Sequence, residues 1–113
     1  MTVRLELRLH IFQLVSDLVH GRYGDISRDG RVGRLTEAQL RDAVGEYGRT
    51  LVELPEEAWQ FSEEYPQVHS PNEVAIDVDL WTAEEGRSDL TLSLSAVKSG
   101  GTWTVSIDSL HVL

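Results

Sequence analysis

The chain contains no cysteine, which removes disulfides, thiolate nucleophiles and cysteine zinc sites at once. That absence is compatible with a reducing cytoplasm, where we expect the protein to reside. No apolar run approaches the roughly 20 residues needed to span a bilayer. The segment from Met1 to Val15 has some signal-peptide character. Arg4, Glu6, Arg8 and His10 interrupt it, however, and no small-residue cleavage site follows, so it reads as mature structure. Basic residues are scarce too: ten face nineteen acidic ones, giving a net charge of −9. Nucleic acid and anionic membranes are therefore disfavoured partners, and a basic protein is favoured. Solubility alone is the competing explanation of the charge. His10, His20, His69 and His111 show neither H-x-x-x-H nor H-E-x-x-H spacing, so no metal is expected, nor any other cofactor. Ser27-Arg28-Asp29-Gly30 follows no strand, lacks a phosphate-loop pattern and reads as a turn.

At 113 residues with 41% apolar content, the chain suits one compact domain over residues 1–113, large enough to bury a core unaided. Its centre is Val74 to Val97, two alternating runs that predict a hairpin. Val74, Ile76, Val78 and Leu80 point one way, and Ala75, Asp77, Asp79 and Trp81 the other. Leu90, Leu92 and Leu94 alternate in the same manner against Thr91, Ser93 and Ser95. The charged stretch from Glu84 to Asp89 suits the reversal between them.

Upstream, Leu7, Ile11, Leu14 and Leu18 form a helical stripe within Val3 to Val19, flanked by Phe12, Val15 and Val19. Gly21 to Gly33 reads as a loop. Thr36 and Gln39 form a capping-box pattern that starts a second helix, with Leu40, Ala43, Val44 and Tyr47 inward and Gly48 closing it. Thr50 to Leu54 predicts a short edge strand stopped by Pro55. A helical turn through Trp59 and Phe61 follows, and then Glu63 to Asn72, with two prolines, reads as a loop that can be extended from Tyr65 to Val68. Thr102 to Leu113 forms the last strand, with Trp103, Val105 and Ile107 on one face. Leu110 and Val112 fall out of phase, which places a bulge or bend near Asp108 and Ser109.

Helices first and antiparallel strands last is an α+β order: two N-terminal helices packed on a curved antiparallel sheet. This order resembles the nuclear transport factor 2-like and cystatin-like group. That resemblance implies a cone-shaped sheet around the first helix, and sheets that can pair into a homodimer. The run Asp79-Leu80-Trp81-Thr82-Ala83-Glu84-Glu85-Gly86-Arg87-Ser88-Asp89-Leu90-Thr91, with Tyr47-Gly48 and His111-Val112-Leu113, resembles an uncharacterised bacterial domain family. Some members of that family occur beside polymorphic toxin systems. The likeness implies an immunity or interaction role and transfers no catalytic residue.

Glu84, Glu85, Arg87 and Asp89 can form a recognition patch in which Arg87 grips a partner's carboxylate. In the structural alternative, Arg87 pairs with Glu85 or Asp89 and fixes the turn. Asp77 and Asp79 share a strand face with Trp81. They can hold a cation or a raised carboxyl pKa, or simply form the solvent face of a sheet. An aromatic such as Trp81 on a polar face suits a partner surface. His10 or His111, alone or with Asp108, can act as a base or be a structural histidine. The leading reading is a non-enzymatic cytoplasmic binding protein, of immunity or antitoxin type, that covers a basic toxin. The alternative is a small-molecule binder or enzyme with a pocket between first helix and sheet lined by Tyr47, Trp59, Phe61 and Trp103, residues that equally suit a core. A homodimer of other role is the third.

Overall fold

The computed structural model describes residues 1–113 and has the expected α+β architecture. Helices α1 (Leu5–Val19), α2 (Tyr23–Arg28) and α3 (Glu37–Tyr47) come first. They are followed by strands β1 (Leu51–Val52), β2 (Glu63–Pro66), β3 (Glu73–Thr82), β4 (Gly86–Ser99) and β5 (Thr102–Val112), with a 3₁₀ helix at Glu56–Phe61 between β1 and β2. All pairings are antiparallel. β3, β4 and β5 form a meander, and β1 and β2 share the free edge of β3, one at Trp81–Thr82 and the other at Val74–Asp77. The sheet curls, and its apolar side faces α1.

The apolar periodicity of α1 decides this packing. Leu7, Ile11, Leu14, Val15 and Leu18 are buried against Ile76, Val78, Leu92 and Leu94 of the sheet. Each such side chain contributes about 1.5–3 kcal/mol. The helix starts at Leu5 rather than Val3, because Arg4 is extended at its N-cap. Its guanidinium and backbone N–H bond Glu64. Helix α3 begins as its sequence dictates: Gln39 N–H donates to Thr36 Oγ1 and Thr36 N–H to Gln39 Oε1, both at 3.0 Å. Gly48 ends it in the left-handed conformation at φ 71°. Only Leu40 of its expected inner face is fully buried, while Val44 and Tyr47 pack at the margin of the core.

Three expectations need correction. The stretch from Gly21 to Gly33 is not wholly a loop: α2 forms within it, anchored by the buried Ile26, with Asp25 in its first turn and Arg28 in its last, matching the helix dipole. The edge strand β1 spans only Leu51–Val52, since the chain leaves β3 before Pro55. The charged turn is also shorter than Glu84 to Asp89. Only Ala83 to Glu85 lie outside the strands, and Gly86, at φ 74° opposite Thr82, completes a three-residue hairpin loop with a left-handed glycine.

Two irregularities shape the sheet. Asp79 faces Thr91 while Trp81 faces Arg87, so β4 carries extra residues there. Ser88 is thereby turned inward to donate to Leu80 O at 2.7 Å, while Asp89 stays exposed. In β5, Ser109 faces Ser93 and Ile107 faces Leu94, leaving Asp108 as the extra residue where the phase break in the sequence predicts it. Beside this bulge the loop before α3 latches onto the strand edge. Ile107 N–H donates to Arg31 O at 2.8 Å and Arg34 N–H to Ile107 O at 3.0 Å. Gly33 lies so close that a Cβ would stand 2.2 Å from Ile107 O.

Candidate interaction surface

The space assigned to a pocket is filled. Side chains of α1 occupy the hollow of the sheet, and the surface offers only open grooves. Tyr47, Trp59, Phe61 and Trp103 are not brought together. Trp59 and Trp103 are core residues, under Arg8 and Arg4 respectively. Phe61 is exposed on the far side, beneath Arg87. Tyr47 lies at the edge of α3, its hydroxyl donating to Glu85 at 3.0 Å.

Outside the core, the second face of the sheet is a polar network. Asp77 accepts from Ser93 at 2.7 Å, Asp79 from Thr91 at 3.2 Å, and Asp108 from Ser95 at 2.6 Å. Arg87 does not pair with Glu85 or Asp89. Its Nε lies 3.1 Å from Asp79 and its guanidinium sits 4.2 Å from the centre of the Phe61 ring. The reason is strand register: Arg87 stands directly opposite Trp81, one pleat from Asp79 on the same face. Trp81 itself is half-buried with its indole N–H enclosed and without an acceptor, so it packs on the sheet instead of standing free. Asp77, Asp79, Trp81 and Arg87 thus share one face as their alternation implies, and four of these polar contacts tie the strands to one another.

The turn carboxylates are also spoken for. Glu84 accepts Thr50 N–H and the Thr50 hydroxyl, both at 2.8 Å, and those bonds hold its carboxyl below the usual range. Glu85 accepts from Tyr47 and, at 3.2 Å, from Thr82. The pair therefore staples α3 and β1 to the hairpin. Asp89 differs: it is exposed and its carboxylate has no side-chain partner.

A polar groove of about 490 Å³ runs between α1 and the loop after α2. Arg31 fills its floor, bridging Asp29 and Asp17 at 2.8 Å each. The Arg31 hydrogen bonds hold the Asp29 carboxyl low. His10 lines the rim but has no hydrogen-bond partner, and His111 reaches only Ser109, at 3.1 Å. Neither histidine contacts Asp108, so no acid–base pair is assembled. No group of three or more histidine, aspartate or glutamate side chains converges as a metal site, and no helix is long and apolar enough to cross a membrane.

Sequence reasoning missed two unpaired carboxylates. Asp42 and Glu46 lie one turn apart on the exposed face of α3, while Asp89, singled out in the sequence, lies beside Leu90 near the start of β4. The i, i+4 spacing of the first two was a readable sign; their approach to β4 was not. Between α3 and the strands lies a mainly apolar groove of about 380 Å³. Tyr47, Leu90, His111 and Val112, drawn from three separate segments, meet in it.

Residues 15–113 match a domain of unknown function, DUF7668. The chain belongs to that family. The groove and the turn staple both fall inside the matched segment, whereas most of the exposed side of α1 precedes it. No curated protein and no solved structure matches the chain.

Proposed function

We propose that this family member is a non-enzymatic module that binds a basic protein, in the manner of an immunity or antitoxin protein that covers a toxin in the bacterial cytoplasm. One observation carries the reading: the molecule uses up its own cations. Eight arginines pair with carboxylates of the same chain. The two remaining bases, Arg8 and Lys98, lie over Trp59 and Trp103. Asp42, Glu46, Glu56, Glu57, Glu73 and Asp89, by contrast, enter no ion pair and no side-chain hydrogen bond. The uncompensated charge on the surface is therefore all of one sign, which steers a basic protein toward it and repels nucleic acid. The relation to the nuclear transport factor 2-like group belongs to the same proposal, supported by element order and by the helix held in the curl of the sheet.

The test is capture by the tagged chain from its own host at low and high salt. A stoichiometric basic protein that is released as salt rises is the expected result. Recovery of no stoichiometric partner at low salt overturns the proposal. Self-association is the second reading, favoured by Leu5 and Leu9, which stand exposed in line with Phe12 on α1. Light scattering of the purified chain decides it, a monomer ruling it out.

A further inference from the structure

We propose that the groove between α3 and the paired ends of β4 and β5 is where the basic partner docks, inserting an apolar side chain flanked by lysine or arginine. The inference rests on the binding function above and adds the place and the chemistry of recognition. Its floor is apolar: Ala43, Tyr47, Leu90, Leu110 and Val112 line it, and Val112 is 58% exposed. One lining residue, Glu46, is acidic and one, His111, is a histidine. Asp42 precedes Glu46 by one helical turn, and Asp89 precedes Leu90, which pairs with Val112. None of the three carboxylates has a partner within the chain.

A second, independent feature points to a missing cation. Glu46 lies in the last turn of α3, where the helix dipole already presents negative charge, and that turn contains no basic residue. The arginines on either side of it in sequence are committed elsewhere, Arg41 to Glu37 at 2.9 Å and Arg49 toward Glu85 at 4.0 Å. A helix end that disfavours its own glutamate gains when a partner's cation arrives. Other parts of the surface lack this combination. The groove beside Trp59 has unpaired Glu56 and Glu57 but also Arg8 and only one apolar residue, and the groove beside Arg31 is internally neutralised. An apolar seat with the Glu46 carboxylate on its wall and Asp42 and Asp89 close by in sequence fits an anchor residue with basic neighbours.

The probe is a short synthetic peptide with one tryptophan between lysines, titrated into the isotope-labelled full chain and followed by amide chemical shifts. Saturable shifts concentrated at Ala43 to Tyr47, Leu90 and Leu110 to Val112 are expected. A version with glutamates for lysines, or glycine for tryptophan, should leave those shifts small. Asp42→Asn/Glu46→Gln/Asp89→Asn should weaken binding about tenfold. Glu56→Gln/Glu57→Gln/Glu73→Gln, which removes the same charge, should weaken it less than about threefold. The first variant should melt no lower than the parent, which excludes misfolding as the cause. Equal weakening by both variants, shifts spread over other faces, or no binding would each overturn the assignment. The host capture separates the two levels: a salt-sensitive complex that survives the groove variant removes the groove and leaves the function standing, while absence of any complex removes the function itself.

Discussion

Glu84 and Glu85 on the β3–β4 turn and Asp89 a few residues later belong to one acidic stretch, yet the fold treats them oppositely. The turn pair is tied to Thr50 and Tyr47, donors delivered by the end of α3 and the start of β1. Asp89 receives no donor; it precedes Leu90, which lines a groove together with Glu46. Proximity in sequence therefore does not decide whether a carboxylate stabilises the fold or is left over for a partner. What decides it is whether a distant segment brings a donor within reach. The same division runs through the molecule. Glu64, buried in β2, is bonded by Arg4, whereas Glu56 and Glu57 nearby have no partner.

That contrast can be broken first at its most tightly held point. Gly33→Ala places a methyl group against Ile107 O from a left-handed backbone at φ 58°. It should separate the α2 loop from β5 and cost about 3 kcal/mol in denaturant unfolding. Next comes Glu64→Gln, which leaves Arg4 without its carboxylate. The expected loss is about 2 kcal/mol, below that of a fully enclosed pair, because the Arg4 side chain is 35% exposed. The Arg4 hydrogen bonds hold the Glu64 carboxyl below its ordinary range. A depressed folded pKa stabilises fully above the ordinary glutamate value and loses that contribution as pH falls through the folded value. Stability of the parent should accordingly decline on acidification below about pH 4.5, more steeply than that of Glu64→Gln. A smaller effect belongs to Thr36→Ala, which removes the capping box of α3 and should cost about 1 kcal/mol, lowering the thermal midpoint without altering the groove.

Much of this architecture was legible in the sequence, because the features concerned are local. The stripe from Leu7 to Leu18, the Thr36–Gln39 cap and the alternation of Val74 to Leu80 each follow from a fixed period or spacing. The phase break before Leu110 likewise marked the Asp108 bulge. Helix α2 was not legible, since four glycines mask a segment held by the single anchor Ile26. The partner of Arg87 was not legible either. It depends on strand register and on Phe61, which arrives from the 3₁₀ helix. The groove required three separate segments to meet, and only the fold shows that His111-Val112 closes over α3. The charge total pointed to a basic partner, but which carboxylates remain unspent is a tertiary property.

The most direct test compares two charge-matched variants, Glu84→Gln/Glu85→Gln and Glu46→Gln/Asp89→Asn, each measured for melting temperature and for capture of the basic host partner. The account predicts opposite outcomes. The turn variant melts lower and still captures its partner, while the groove variant melts at the same temperature or about 2 °C higher and loses capture. Equal loss of capture in both, or full capture by the groove variant, would contradict the division between carboxylates that hold the fold and carboxylates that meet a partner.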